Sequence, residues 1–127
     1  FDTQKTFIFD NSFADGEMTN STYDDVTIPE GTLLGRISST GEIVPLTSGA
    51  SNGSQYPVGV LATTYLIQDG ETKNVRFCVS GQVVESKIVL QGSDTLDTVI
   101  SGRTIRDRIG ADTVGIILKA VDDLSKA

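Results

Sequence analysis

Thirty-eight of the 127 residues are Val, Ile or Thr, spread through short runs with glycine-bearing turns between them. Side chains branched at Cβ lose rotamer freedom in a helix and pack well on a pleated sheet, so a chain of this kind is driven toward strands. Strands are expected at 32–37, 42–46, 58–65, 73–79, 82–90 and 113–121. Within the fourth, Val75, Phe77 and Val79 alternate with Arg76, Cys78 and Ser80, the period of two that marks a half-buried strand. Asp69-Gly70 and Ser80-Gly81 fall where two hairpin turns are needed, which predicts a three-strand meander. The only helical text lies between Ser93 and Gly110, where Leu96, Val99 and Ile100 share one face and Ile105 and Ile109 another. The step from Leu96 to Ile105 is nine residues, about 900° of rotation, which puts the two sets on opposite sides of any continuous helix. Gly102 is therefore expected to separate two short helices, or a turn and one helix. The apolar run at 114–121 predicts a central strand closing the sheet. No long internal repeat and no second domain are visible.

Composition then removes most chemistry. There is no histidine, no tryptophan and one cysteine. That excludes Ser-His and Cys-His dyads, the common zinc and non-haem iron ligand sets, a histidine pH switch and any internal disulfide. Ten basic side chains against 17 acidic ones give a net charge of −7, which argues against a broad grip on nucleic acid or an anionic membrane. No apolar run approaches the roughly 20 residues of a membrane span, and no secretion signal is present, so a soluble protein is expected. The chain opens at Phe1 rather than methionine, so a short leader, tag or initiator segment is expected to have been removed or to precede it.

The acids are unevenly placed. Residues 1–30 hold seven acids and one base, Lys5, which leaves a balance of only −1 for the rest. Residues 10–25 (DNSFADGEMTNSTYDD) show no helical or strand periodicity and are expected to be unstructured, because such text buries too little apolar surface to offset its conformational entropy. Yet Phe1, Phe7, Phe9 and Phe13, four of the five phenylalanines, lie in the first 13 residues. A merely solubilising tail would not concentrate them. The expected organisation is an extended N-terminal arm at 1–26 and a β-rich domain at 27–127.

Motifs with chemical connotations yield to plainer accounts. Gly49-Ala50-Ser51-Asn52-Gly53 matches the G-x-S-x-G nucleophile elbow, but no histidine exists to take the proton, and the flanks describe a surface loop. Cys78 is expected to be a small packed side chain. Arg103, Arg106 and Arg108 suggest an anion clamp, although Asp107 and Asp112 interleave with them and the Arg103–Asp107 spacing suits an ordinary solvated helix pair. Asn20-Ser21-Thr22 and Asn52-Gly53-Ser54 have the form of glycosylation acceptors but lack a secretory context. Asp24-Asp25 and Asp122-Asp123 lack the ligand spacing of a calcium loop. No catalytic residue, cofactor or metal site is expected.

The order of elements carries more. IPEGTLLGRI at 28–37, GEIVPL at 41–46, a polar Gly-rich loop, PVGVLA at 57–62, VRFCVSGQV at 75–83 and the Gly115-Ile116 pair resemble the head decoration proteins of tailed bacteriophages, the lambda-type family. The resemblance covers residues 27–121 and rests on glycines and β-branched runs. It implies a mainly β, compact single domain, β-tulip-like, with one or two short helices. It further implies a homotrimer on the outer surface of the expanded capsid at three-fold sites, made in the host cytoplasm, cementing the head by binding the major capsid protein. Strand addition to a capsid sheet edge by the only β-like run of the arm then makes Lys5, Thr6, Phe7, Ile8, Phe9 and Phe13 the candidate capsid-binding residues. The alternatives are another virion or cell-surface-binding β module, disfavoured by the scarcity of aromatic platforms, and a small trimeric dUTPase-like enzyme, disfavoured because 58–65 lacks the required aspartate.

Overall fold

A computed structural model describes residues 7–20, 23–112 and 115–119. In sequence order the elements are β1 Phe7–Thr19, β2 Val26–Ile28, β3 Leu33–Arg36, β4 Ile43–Pro45, β5 Pro57–Leu61, β6 Tyr65–Ile67, β7 Thr72–Val84, a 3-10 turn Glu85–Lys87, β8 Val99–Ile100, β9 Arg103–Thr104, α1 Ile105–Asp112 and β10 Gly115–Lys119. The mainly β expectation holds. The principal sheet runs β1-β7-β5-β3-β4, all antiparallel, and β10 adds to β7 in parallel. Because β1 pairs β7 along its whole length, β5 (at Phe77 and Cys78) and β10 (from Ser80 to Val84) must follow one another along its other side.

Neighbouring residues on the inner strands serve opposite faces, and the sheet divides two cores. Leu33, Val60 and Cys78 join Leu46, Val83, Ile100, Ile105, Ile109 and Ile116 on one face. Their successors or predecessors, Leu34, Leu61 and Phe77, join Met18, Ile43, Ile67 and Val75 on the other. Covered on both sides, these strands carry adjacent apolar residues where a half-exposed strand would alternate. The first core is roofed by α1 and β10, whose Ile105, Ile109 and Ile116 are buried. Over the second, the sheet curls until its ends meet: a Cβ added to Gly16 of β1 would stand 2.5 Å from Ile43 Cγ1 of β4.

Several expectations are corrected. Ser80-Gly81 is not a turn; β7 runs through it because β1 and β10 continue the ladder on either side, and Gly81, at φ +110°, takes up the bend. The expected strand at 82–90 accordingly ends at Val84, beyond which only Val89 makes an isolated bridge, to Thr32. The strand at 58–65 stops at Leu61, and the backbone then leaves the sheet so that Tyr65–Ile67 can pair β2. Asp69-Gly70 does form a turn, closed by the Glu71 amide donating to the Gln68 carbonyl at 2.9 Å, although it joins strands that pair with different partners. Around Gly102 the second alternative is found, a β8–β9 turn followed by one helix. Among the described residues β10 pairs β7 alone, at the margin of the sheet rather than its centre; positions 113, 114, 120 and 121 of the expected terminal strand lie outside the described residues.

The largest correction concerns residues 10–25. Residues 10–19 are strand, part of β1, so the sheet crosses the boundary drawn at residue 26. Their period of two is present but muted: Ala14, Gly16 and Met18 face the second core, while Asp15, Glu17 and Thr19 point away from it. Glycine suffices at position 16 because Ile43 of β4 comes so close, and the ladder to β7 satisfies the backbone.

Candidate interaction surface

The first half of β1 is rooted in its own domain. Phe7 and Phe13 meet edge to face, with centroids 5.6 Å apart and planes at 73°, and both pack against the first core. The Arg76 guanidinium lies over the Phe13 ring at 4.8 Å. Asn11 fixes the strand from beside, donating through Nδ2 to the Gln82 carbonyl at 3.1 Å and to Cys78 Sγ at 3.5 Å. Register shifts between Phe7 and Phe9, and again between Phe9 and Ser12, interrupt the simple alternation that would place Phe7 and Phe9 on one face. Of the other candidate residues, Lys5 and Thr6 lie outside the described residues, and Ile8 and Phe9 are described by their backbone alone. Among the described residues no strand pairs the outer edge of β1, which leaves a row of ladder donors and acceptors unused by the sheet.

At its other end β1 is tied down by Asn20. The buried side chain donates to the carbonyls of Asp24 at 2.7 Å and Ile67 at 2.8 Å, while its main chain bonds Glu71 and Gly70 of the β6–β7 turn. A residue committed in this way is no sugar acceptor, and nothing in the local sequence signals the knot.

Elsewhere the chemical motifs resolve into structural roles. Ser51 is exposed in the loop between β4 and β5, far from any strand-to-helix elbow. Cys78 is buried, with its thiol donating to the Ser80 carbonyl at 3.0 Å. Burial pushes that thiol above its ordinary value, against smaller opposing effects of the Asn11 and Ser80 hydrogen bonds, so it is not an activated thiolate. The arginines do not converge on an anion site. Arg106 pairs with Glu85 and, at 3.7 Å, with Asp97, and Arg108 lies over Tyr56 while donating to the Ile100 carbonyl at 2.7 Å. Arg103 belongs to β9, ahead of the helix, so its spacing to Asp107 is not that of a helix pair. Asp25 accepts from the Asp69 amide at 3.0 Å. Asp122 and Asp123 lie outside the described residues, among which no cluster of three or more potential metal ligands occurs. An apolar hollow of about 220 Å³, lined by Met18, Val26, Ile28, Val44 and Ile67, holds no pair of groups suited to acid–base work.

The family described as bacteriophage lambda head decoration protein D matches residues 12–99. The chain belongs to that family. Among curated proteins no match is found. The matched span opens inside β1, takes in the Phe13–Cys78 pair and all of β2 to β7, and closes at Val99 of β8. Head decoration places the protein on a phage capsid as a structural component of the virion.

Proposed function

We propose that this head decoration protein binds the outside of the expanded capsid of a tailed phage as a homotrimer and cements neighbouring capsomers by engaging the major capsid protein. The family match over residues 12–99 carries this reading. The N-terminal segment is the proposed contact: Lys5, Thr6, Phe7, Ile8 and Phe9 add a strand to a capsid sheet edge. The role of Phe7 and Phe13 shifts accordingly. Packed on the first core, they anchor the strand from behind while its backbone faces the partner.

Pelleting the pure protein with expanded and unexpanded shells, with copies counted per three-fold position, tests the proposal. Selective binding to expanded shells at three copies per site is expected, in agreement with light scattering of a trimer in solution or assembly on the lattice. Binding to neither shell, or strict dimers in both settings, would refute it.

A further inference from the structure

The loop between β4 and β5 holds a chemical arrangement apart from the N-terminal strand. Asn52 is exposed, so water reaches its side-chain amide. Its Oδ1 accepts two hydrogen bonds from the next residue but one, from the Ser54 amide at 3.1 Å and from Ser54 Oγ at 2.6 Å. A backbone amide can only donate, so the oxygen end of the Asn52 side chain is fixed by its partner. Ser54 is buried to 3% exposure, which shields its hydroxyl from competing water and keeps it aimed. The nitrogen between them, that of Gly53, donates to Gln55 Oε1 at 2.9 Å, and glycine has no side chain to stand over it.

We propose that Asn52-Gly53 is a self-modification site, at which the Gly53 nitrogen attacks the Asn52 side-chain carbonyl to form a succinimide that water opens to aspartate or isoaspartate. The bond formed is Gly53 N to Asn52 Cγ. The bond broken is Asn52 Cγ to Nδ2, and that amide nitrogen leaves with the Gly53 proton as ammonia. Water then opens the ring at either carbonyl, so the net change is one water consumed and one ammonia released, with no oxidation. As Gly53 N adds, charge develops on Asn52 Oδ1, where the two Ser54 donors already point. This is the logic of an oxyanion hole built within four residues.

The products differ in their effect on the loop. Aspartate keeps the backbone and adds one negative charge. Isoaspartate reroutes the backbone through Cγ and turns the Asn52 main-chain carbonyl, which now accepts from the Ser38 amide at 2.8 Å, into a free carboxylate. It also displaces Gly53, which at φ +102° is seated so tightly that an added Cβ would collide with Ser38 Oγ and stand 2.8 Å from the Arg36 carbonyl. The other three asparagines lack the arrangement. Asn11 and Asn20 precede serine and are bonded through Nδ2, and Asn74 precedes the branched Val75 within β7.

The test is to age the folded full-length protein at mildly alkaline pH and body temperature and to map aspartate and isoaspartate by peptide mass analysis. Asn52 is expected to convert well ahead of Asn11, Asn20 and Asn74. Ser54→Ala, which keeps the amide donor and removes the hydroxyl, is expected to slow conversion about fivefold, the worth of one ordinary hydrogen bond. Ser54→Cys, nearly the same size but a weak donor, should slow it similarly and covers the case in which the alanine variant fails to fold. Asn52 persisting as long as Asn74 would overturn the proposal, and so would conversion at an unchanged or higher rate in the folded Ser54 variants.

Discussion

Phe13 sits where two roles compete, since an aromatic ring near the start of a protein serves equally well as a hook for a partner or as a plug for its own core. Its contacts with Phe7, with Arg76 and with the first core favour the plug. Phe13→Ala should therefore destabilise the free protein by about 2 kcal/mol, a value reduced from that of a fully buried ring by its partial exposure. Calorimetry should record a fall in Tm of roughly 8 °C. An unchanged Tm would return the ring to the partner. Cys78, opposite Phe13 in the ladder, makes a pH-dependent prediction. Its folded pKa is raised by burial above the reference value of 9.0, so the native state resists ionisation that the unfolded state accepts. The thiol's contribution is intact below the unfolded value and is lost as pH climbs from there through the folded value. Tm should fall over that alkaline window, and Cys78→Ala should flatten this part of the profile. A profile indifferent to the substitution would show that the thiol ionises as freely in the fold as out of it.

At the scale of the element, β1 is the strand on which both stability and partnership turn. Successive amides of an antiparallel edge strand point alternately toward the sheet and away, so only about half can be protected by β7. Hydrogen exchange of the free protein should show slow and fast amides in alternation over Phe13–Thr19 of β1, where the register with β7 is regular. Uniformly immediate exchange there would mean that the strand is not held by β7 in solution. Strands β3 and β4 were legible in the sequence because the 32–37 and 42–46 runs combine β-branched or leucine residues with glycine punctuation, and both strands fall inside them. β1 was not, because, of its inward positions, Ala14 and Gly16 are small and Met18 stands alone among acids and polar residues, too little to register as an apolar face until Ile43 is known to lie against Gly16. The continuity of β7 was hidden for a similar reason: Ser80-Gly81 has turn chemistry, and only partners distant in sequence, β1 and β10, hold it extended. The crowding of phenylalanines did mark Phe7 and Phe13 as important; nothing in the sequence said that they pack inward. Asn20 carried no local signal, since both carbonyls it caps come together only when β1 ends beside β6.

On the scale of the whole molecule, one sheet carries two cores, and this bears on how the head decoration protein fails. Val60 and Leu61 are consecutive on β5, each fully buried, one in each core. If the cores were separable, truncating one would melt its own half and leave the other standing. They share β3, β5 and β7, however, and a strand cannot keep its ladder while one of its faces is dissolved, so loss of either core exposes the backbone that supports the other. Leu61→Ala should cost about 3 kcal/mol and Val60→Ala about 2 kcal/mol, according to the apolar volume each removes. Both variants should unfold in a single calorimetric transition, with calorimetric and van't Hoff enthalpies in agreement, shifted down by amounts in that order. A second transition appearing in either variant would show that the face roofed by α1 and β10 and the face enclosed by the curl of β1 toward β4 fold independently, and would divide the molecule along the sheet rather than at any point in the sequence.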